Sequence, residues 1–211
     1  MRPPPAAPRH VRAFTLVELL CVVAIIGILA AILFATLSGI KKAQQRAQCA
    51  ANLRTVGIAI MNYAIDRKGT LPGPLWRQQN ATYRSNSAGN GFDVASHPYL
   101  GTRLGTYLGL QVPKPGGTSL VADVLLCPAW ASETRSTSAL WFASSYFGYP
   151  GDGTTPRDEP SKLVEIDRPA ATIALVELDG GNGGSKSVPV VHGSVRNTLY
   201  FDGHVSAVPV K

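Results

Sequence analysis

Apolar and polar positions divide this chain unevenly. From Leu19 to Ile40 no charged residue interrupts a run of 22 residues, and only Cys, Thr, Ser and Gly dilute its apolar side chains. Coiled as a helix at about 1.5 Å per residue, such a run is about 33 Å long, against a bilayer hydrocarbon core of about 30 Å. It is therefore long enough to cross a membrane.

From Lys41 to Arg67 the pattern changes to a helical alternation. Proline is absent, Leu53, Val56, Ile60 and Tyr63 recur at steps of three or four, and Gln44, Gln45, Arg46 and Asn52 occupy other positions. That spacing gathers the apolar side chains on one face. Nothing breaks the chain between Phe14 and Asp66, so the spacing predicts one helix of 53 residues, about 80 Å long, locally softened by Gly27, Gly39 and Gly57. Lys68-Gly69 and the following Leu71-Pro72-Gly73-Pro74 predict its end.

Beyond the helix the pattern is shorter and mixed. Residues 76–91 read as loop, and Tyr99-Leu100, Leu104 and Tyr107-Leu108 as a short helix broken by glycines. The candidate strands are 121–126, 140–149, 172–178, 188–191, 198–201 and 204–208, the fourth demoted to an edge by Pro189. The predicted class is α+β: a long N-terminal transmembrane and amphipathic helix packed on a small antiparallel β-sheet, a lollipop in outline. The organisation that follows is a basic N-terminal segment 1–13, a transmembrane helix 14–40, an amphipathic extension 41–68 and a globular β domain 69–211. Asp179-Gly-Gly-Asn-Gly-Gly-Ser185 lacks the lysine and following helix of a phosphate loop and reads as a connection.

Charge changes this picture little. Of 20 basic residues only Arg2, Arg9 and Arg12 precede the apolar run, and of 13 acids only Glu18 lies before its end, so the remainder carries a net +5 of the total +7. Lys41, Lys42, Arg46 and Arg54 lie along one helix and the other bases are scattered. This is a solvated surface able to meet anionic headgroups rather than a dense stripe for nucleic acid, and no specific nucleic-acid partner is expected. Cys21, Cys49 and Cys127 have no metal-type spacing. Cys49 and Cys127 are free to pair in an oxidising compartment, but the sequence supplies no distance between them.

The chemically unusual residue is Glu18, placed where the segment Phe14-Thr15-Leu16-Val17 begins. A carboxylate near a bilayer interior costs about 2.5–3.5 kcal/mol on insertion scales, so its presence points to a role and calls for a cation.

Ala13-Phe14-Thr15-Leu16-Val17-Glu18-Leu19-Leu20, with Val22-Val23-Ala24-Ile25-Ile26-Gly27-Ile28-Leu29-Ala30-Ala31, resembles the type IV prepilin signature shared by pilins and the pseudopilins of type II secretion. The resemblance implies cleavage by a membrane prepilin peptidase between Ala13 and Phe14, release of residues 1–13 as a leader, and N-methylation of Phe14. It implies that Glu18 pairs with the terminal amine of a neighbouring pilin-like subunit, which would turn charge neutralisation into axial register. It also implies a single-pass protein of the bacterial inner membrane with its C-terminal domain in the periplasm. The family prefers glycine before the cut, so Ala13 implies slower or conditional processing.

The densest polar cluster is His192-Gly193-Ser194-Val195-Arg196-Asn197 followed by Leu199-Tyr200-Phe201-Asp202-Gly203-His204-Val205. Asp202-Gly203 between apolar stretches predicts a two-residue hairpin with positive φ at both positions, and His192 is placed to hydrogen-bond that turn as a structural latch. The nine residues between His192 and Asp202 resemble the spacing of prepilin-associated H-X9-DG proteins of Planctomycetes and Verrucomicrobia, as do Leu71-Pro72-Gly73, Tyr99-Leu100-Gly101, Leu126-Cys127-Pro128 and Ser145-Tyr146-Phe147-Gly148-Tyr149. His192, Asp202 and His204 could also serve a metal or hydrolytic site, but no nucleophile stands at a known spacing. No catalytic residue and no cofactor is expected. The resemblance to pseudopilins implies calcium as a candidate ion, with Asp179 and Asp202 its first ligands to test.

The functional expectation is a non-enzymatic assembly subunit, a minor pilin or pseudopilin of a type II secretion-like or type IV pilus-like machine. Its partners would be prepilin peptidase, other pilin-like subunits and inner-membrane lipids. The alternatives are a membrane-anchored extracytoplasmic binding domain that uses the prepilin export route without forming filaments, and a DNA-binding competence pilin resting on charge alone.

Overall fold

The computed structural model describes residues 15–115, 119–136, 141–151, 157–178 and 189–210. Ala13, Phe14, Asp179 and the glycine-rich segment after it lie outside the described residues. The chain divides into two compact units, 1–41 and 42–211.

The first unit is described from Thr15 onward and consists of the start of helix α1 (Leu16–Asp66). Its large apolar side chains from Leu16 to Phe34 are exposed. A helix that is apolar on all sides and covered by nothing of its own chain belongs in lipid or among other helices. The structure thus has a helix long and apolar enough to cross a membrane.

In the second unit the rest of α1 carries the expected amphipathic face. Cys49, Leu53, Val56, Ile60, Tyr63 and Ala64 are buried, while Arg54, Ile58 and Ile65 are exposed. The helix stops at Asp66, and Lys68 and Gly69 turn the chain away with φ of 56° and 86°. The Gly69 N–H donates to the Ala64 carbonyl at 2.7 Å, using one of the acceptors that a helix end leaves free.

The buried face of α1 packs into one apolar core with a five-stranded antiparallel sheet and its surrounding turns. The strand order is β1 (Gln78–Gln79), β4 (Trp141–Ala143), β5 (Ile173–Glu177), β6 (Val195–Tyr200), β7 (Val205–Pro209). A second, two-stranded sheet pairs β2 (Thr82–Tyr83) with β3 (Leu120–Val121). Two short helices complete the unit, α2 (Leu100–Arg103) and α3 (Pro128–Thr134). The expected α+β class is the observed one.

Several local expectations are corrected. Residues 76–91 contain β1 and β2, because Gln79 is buried and spends its side chain on the main chain, accepting from the Leu100 N–H at 2.7 Å and donating to the Trp76 carbonyl. The expected strand 121–126 ends after Val121 and becomes a 3-10 turn over Asp123–Leu125. Asn52 explains that turn: it is 7% exposed, and its Nδ2 donates to the carbonyls of Asp123 at 3.3 Å and Leu126 at 2.8 Å. A side chain on α1 thus takes over acceptors that strand pairing would otherwise use. Helix α3 was not anticipated, although Pro128 at its first position is a recognised helix opener. Residues 189–191 form no strand, and Val188 lies outside the described residues.

At Gly57 helix α1 lies close against the sheet. A Cβ added there would lie 2.9 Å from Leu199 Cδ1, and Leu199 is itself 1% exposed and unable to retreat. Gly57 is therefore a packing residue rather than a softening one. Gly57→Val is expected to lower the unfolding free energy of the globular unit by about 1–3 kcal/mol, read from urea denaturation followed by tryptophan fluorescence. Gly27→Ala, whose added Cβ meets nothing within 4 Å, is expected to leave the same transition in place.

Candidate functional site

At the start of α1, Thr15 and Glu18 form a reciprocal cap. Glu18 Oε2 accepts from the Thr15 N–H at 2.9 Å and from Thr15 Oγ1 at 2.8 Å, and the Glu18 N–H donates to Thr15 Oγ1 at 3.3 Å. This is the capping-box arrangement, with the acid three residues after the cap. Thr15 thus supplies two donors to the Glu18 carboxylate from within the same helix start. Among the described residues no cation joins this arrangement.

The second constellation surrounds the end of β5. Cys49 on α1 and Cys127, the cap residue of α3, form a disulfide with Cα atoms 4.8 Å apart. Both are buried, at 0% and 2% exposure. His192 sits against it: its Nε2 lies 3.5 Å from Cys127 Sγ and 3.1 Å from Glu177 Oε1, and its side chain is 2% exposed. The left-handed Gly193 (φ 76°) and the bridge between His192 and Val195 fold the ring back over the start of β6.

Glu177 is the buried acid of this group, 4% exposed. Its Oε2 accepts from the Asn197 N–H at 2.7 Å and its Oε1 from Asn197 Nδ2 at 3.0 Å. Val176 pairs with Thr198, so Asn197 stands one step past the last β5–β6 pair, and the carboxylate caps a backbone donor where the ladder stops. A buried carboxylate is tolerated only when its lone pairs are taken up in this way. Glu177 and Asn197 were missed in the sequence, although a single acid in the apolar run Ile173-Ala-Leu-Val-Glu177-Leu178 is the signal that could have found them.

The structure does not join His192 to the Asp202 turn. Asp202 instead binds within the β6–β7 hairpin, where its Oδ1 accepts from the His204 N–H at 3.1 Å and meets His204 Nδ1 at 2.6 Å. The His204 ring stacks on Tyr200 with centroids 4.3 Å apart. The turn also differs from the expected two-residue form. Tyr200 N–H bonds the His204 carbonyl and Gly203 N–H bonds the Tyr200 carbonyl, so Phe201, Asp202 and Gly203 form a three-residue loop with Gly203 alone at positive φ, 88°. The cause is Phe201, which is 2% exposed and packs against Phe147 and Tyr146 at 5.5 and 5.6 Å. Burying that ring requires one more residue in the loop. Of the two calcium candidates, Asp202 already has one oxygen committed to His204, and Asp179 lies outside the described residues.

A family model described as the prokaryotic N-terminal methylation motif matches residues 8–34. The match spans Ala13, Phe14, Thr15 and Glu18 and ends before the globular unit begins. No curated protein and no solved structure matches the chain.

Two outcomes follow from these contacts. The His204 N–H holds the Asp202 carboxyl below the usual carboxylate range, outweighing the opposing effect of desolvation, and the His204 ring lowers it further. A carboxylate whose folded pKa is depressed adds stability above its unfolded value of about 3.9 and loses it as pH falls through the lower folded value. A carbon-detected NMR titration of the chain in micelles should therefore find Asp202 titrating below about 3.9, with His204→Ala moving it upward. Separately, the Cys49→Ala/Cys127→Ala variant is expected to lose about 2–5 kcal/mol of unfolding free energy, since the bridge closes a long loop; an unchanged urea midpoint would contradict this.

Proposed function

We propose that this chain is a pilin-like structural subunit, made as a precursor and cleaved by prepilin peptidase between Ala13 and Phe14. The observation that carries the reading is the methylation motif over residues 8–34, seated on an apolar helix whose large side chains from Leu16 to Phe34 are exposed. In a mature protein the new α-ammonium of Phe14 would stand four residues from Glu18. A carboxylate held in lipid is best neutralised by such an ammonium from the adjacent copy, because the pair removes two charges from a low-dielectric medium at one contact. The Thr15 cap keeps Glu18 at the helix head until that partner arrives.

The buried Cys49–Cys127 bridge supports export of the second unit to an oxidising compartment, which agrees with a periplasmic or surface location. Within this reading the protein is non-catalytic and serves as a minor pilin or pseudopilin of a type II secretion-like or type IV pilus-like machine. The spacing of His192 and Asp202-Gly203 supports a relationship to the H-X9-DG group.

The test is mass spectrometry of the amino terminus after expression with an active prepilin peptidase. The expected product begins at Phe14 and carries one methyl group, and Ala13→Gly accelerates its appearance. Glu18→Ala is expected to be processed normally but to lose cysteine cross-links between neighbouring α1 helices. Retention of residues 1–13 in the presence of the active peptidase would overturn the assignment.

A further inference from the structure

We propose that the Cys49–Cys127 bridge conceals a redox-gated metal site: in its dithiol form the chain binds one Zn2+ through Cys49 Sγ, Cys127 Sγ, His192 Nε2 and Glu177 Oε1. One donor atom from each of these four residues lies within 4.8 Å of every other. Donors around a tetrahedral zinc ion, with metal bonds of about 2.0–2.3 Å, stand about 3.3–3.8 Å apart, so ligation requires shifts of about 1 Å rather than a refolding of the unit. The four residues come from α1, the cap of α3, β5 and the turn before β6. They are therefore held by the core and not by a single loop.

The surroundings have the features of a built site. Asn197 donates to both Glu177 oxygens and fixes that side chain's orientation, the part that outer partners play around metal ligands. The cluster is buried, with Cys49, Cys127 and Glu177 at most 4% exposed. A cavity of about 470 Å³, lined by Gln45, Arg46, Ser132, Glu133, Val191 and His192 among others, borders the ring and offers an approach from solvent. Two soft sulfurs, an imidazole and one carboxylate form a donor set suited to Zn2+ and unsuited to Ca2+ or Mg2+, which take oxygen ligands.

The chemistry balances as follows. A dithiol reductant transfers two electrons and two protons to the Cys49–Cys127 bond, which breaks to two thiols while the reductant closes to its own disulfide. Zn2+ then displaces the two thiol protons to solvent, forming two metal–thiolate bonds. His192 binds as the neutral ring protonated at Nδ1, with its Nε2 lone pair on the metal, and Glu177 enters as carboxylate. In the oxidised chain the sulfurs have no charge to donate, so the site is closed.

The test uses the full-length chain carrying Cys21→Ser, since Cys21 is an exposed free thiol, in detergent micelles. The chain is reduced with a water-soluble phosphine, which takes oxygen from water and leaves as phosphine oxide, and is freed of it by gel filtration under nitrogen. Titration with Co2+ should give one equivalent bound, with thiolate-to-cobalt charge-transfer absorption and the strong d–d bands of a tetrahedral ion, both abolished by Zn2+. The disulfide form should show neither. His192→Ala and Glu177→Gln should lose the tetrahedral bands, and Asn197→Ala should weaken binding about 10- to 100-fold. The proposal fails if the reduced chain keeps its near-ultraviolet circular dichroism yet binds no Co2+, or if the His192→Ala/Glu177→Gln double variant keeps the full spectrum. It fails equally if reduction unfolds the chain and Zn2+ does not restore it.

Discussion

Helix α1 cannot be withdrawn from the globular unit without emptying its core. Cys49, Leu53, Val56, Ile60 and Tyr63 each expose 9% of their surface or less, and they belong to one cluster with Trp141, Phe147, Leu175, Leu199 and Phe201. Burial of such side chains contributes about 1.5–3 kcal/mol for each large one. Directional contacts then set where the helix lies: the Cys49 bridge, the Asn52 bonds to the 3-10 turn, and the Gly57 gap that admits Leu199. Apolar burial supplies the attraction, and these three contacts select one register from the many an amphipathic face would accept.

The same helix begins with a surface of opposite character. Over Leu16 to Phe34 every described side chain is apolar or small except Glu18, and none is buried by the chain itself. A helix satisfies its own backbone hydrogen bonds, which is why it can pass through lipid without further partners. One charge at its head then becomes the only strong directional element over about five turns. The methylation motif falls on that stretch, which ties its chemistry to the physical constraint rather than to the globular fold.

The cluster at the end of β5 shows how a polar group survives in this small core. Glu177 is held by Asn197 through both oxygens and faces His192, and His192 reaches the disulfide. The nearby Asp202–His204 pair is of another kind, 36% and 46% exposed and confined to its own hairpin loop. The two histidines therefore divide: one is locked against the core, the other stacked on Tyr200 at the surface.

The local sequence determined the long helix to within two residues at its start, its end at the Lys68-Gly69 turn, the β5 and β7 strands and the α+β class, because those depend on patterns of period 3.6 and 2 and on glycine and proline breakers. It also determined the position of Glu18 and the two cysteines able to pair. Only the tertiary structure decided that Cys49 and Cys127 meet, that His192 turns to Glu177 rather than to Asp202, and that Phe201 adds a residue to the hairpin loop. Each of those outcomes depends on which distant side chain occupies the space a residue points into. Separations such as the 78 residues between the two cysteines carry no such information until the core has closed around them.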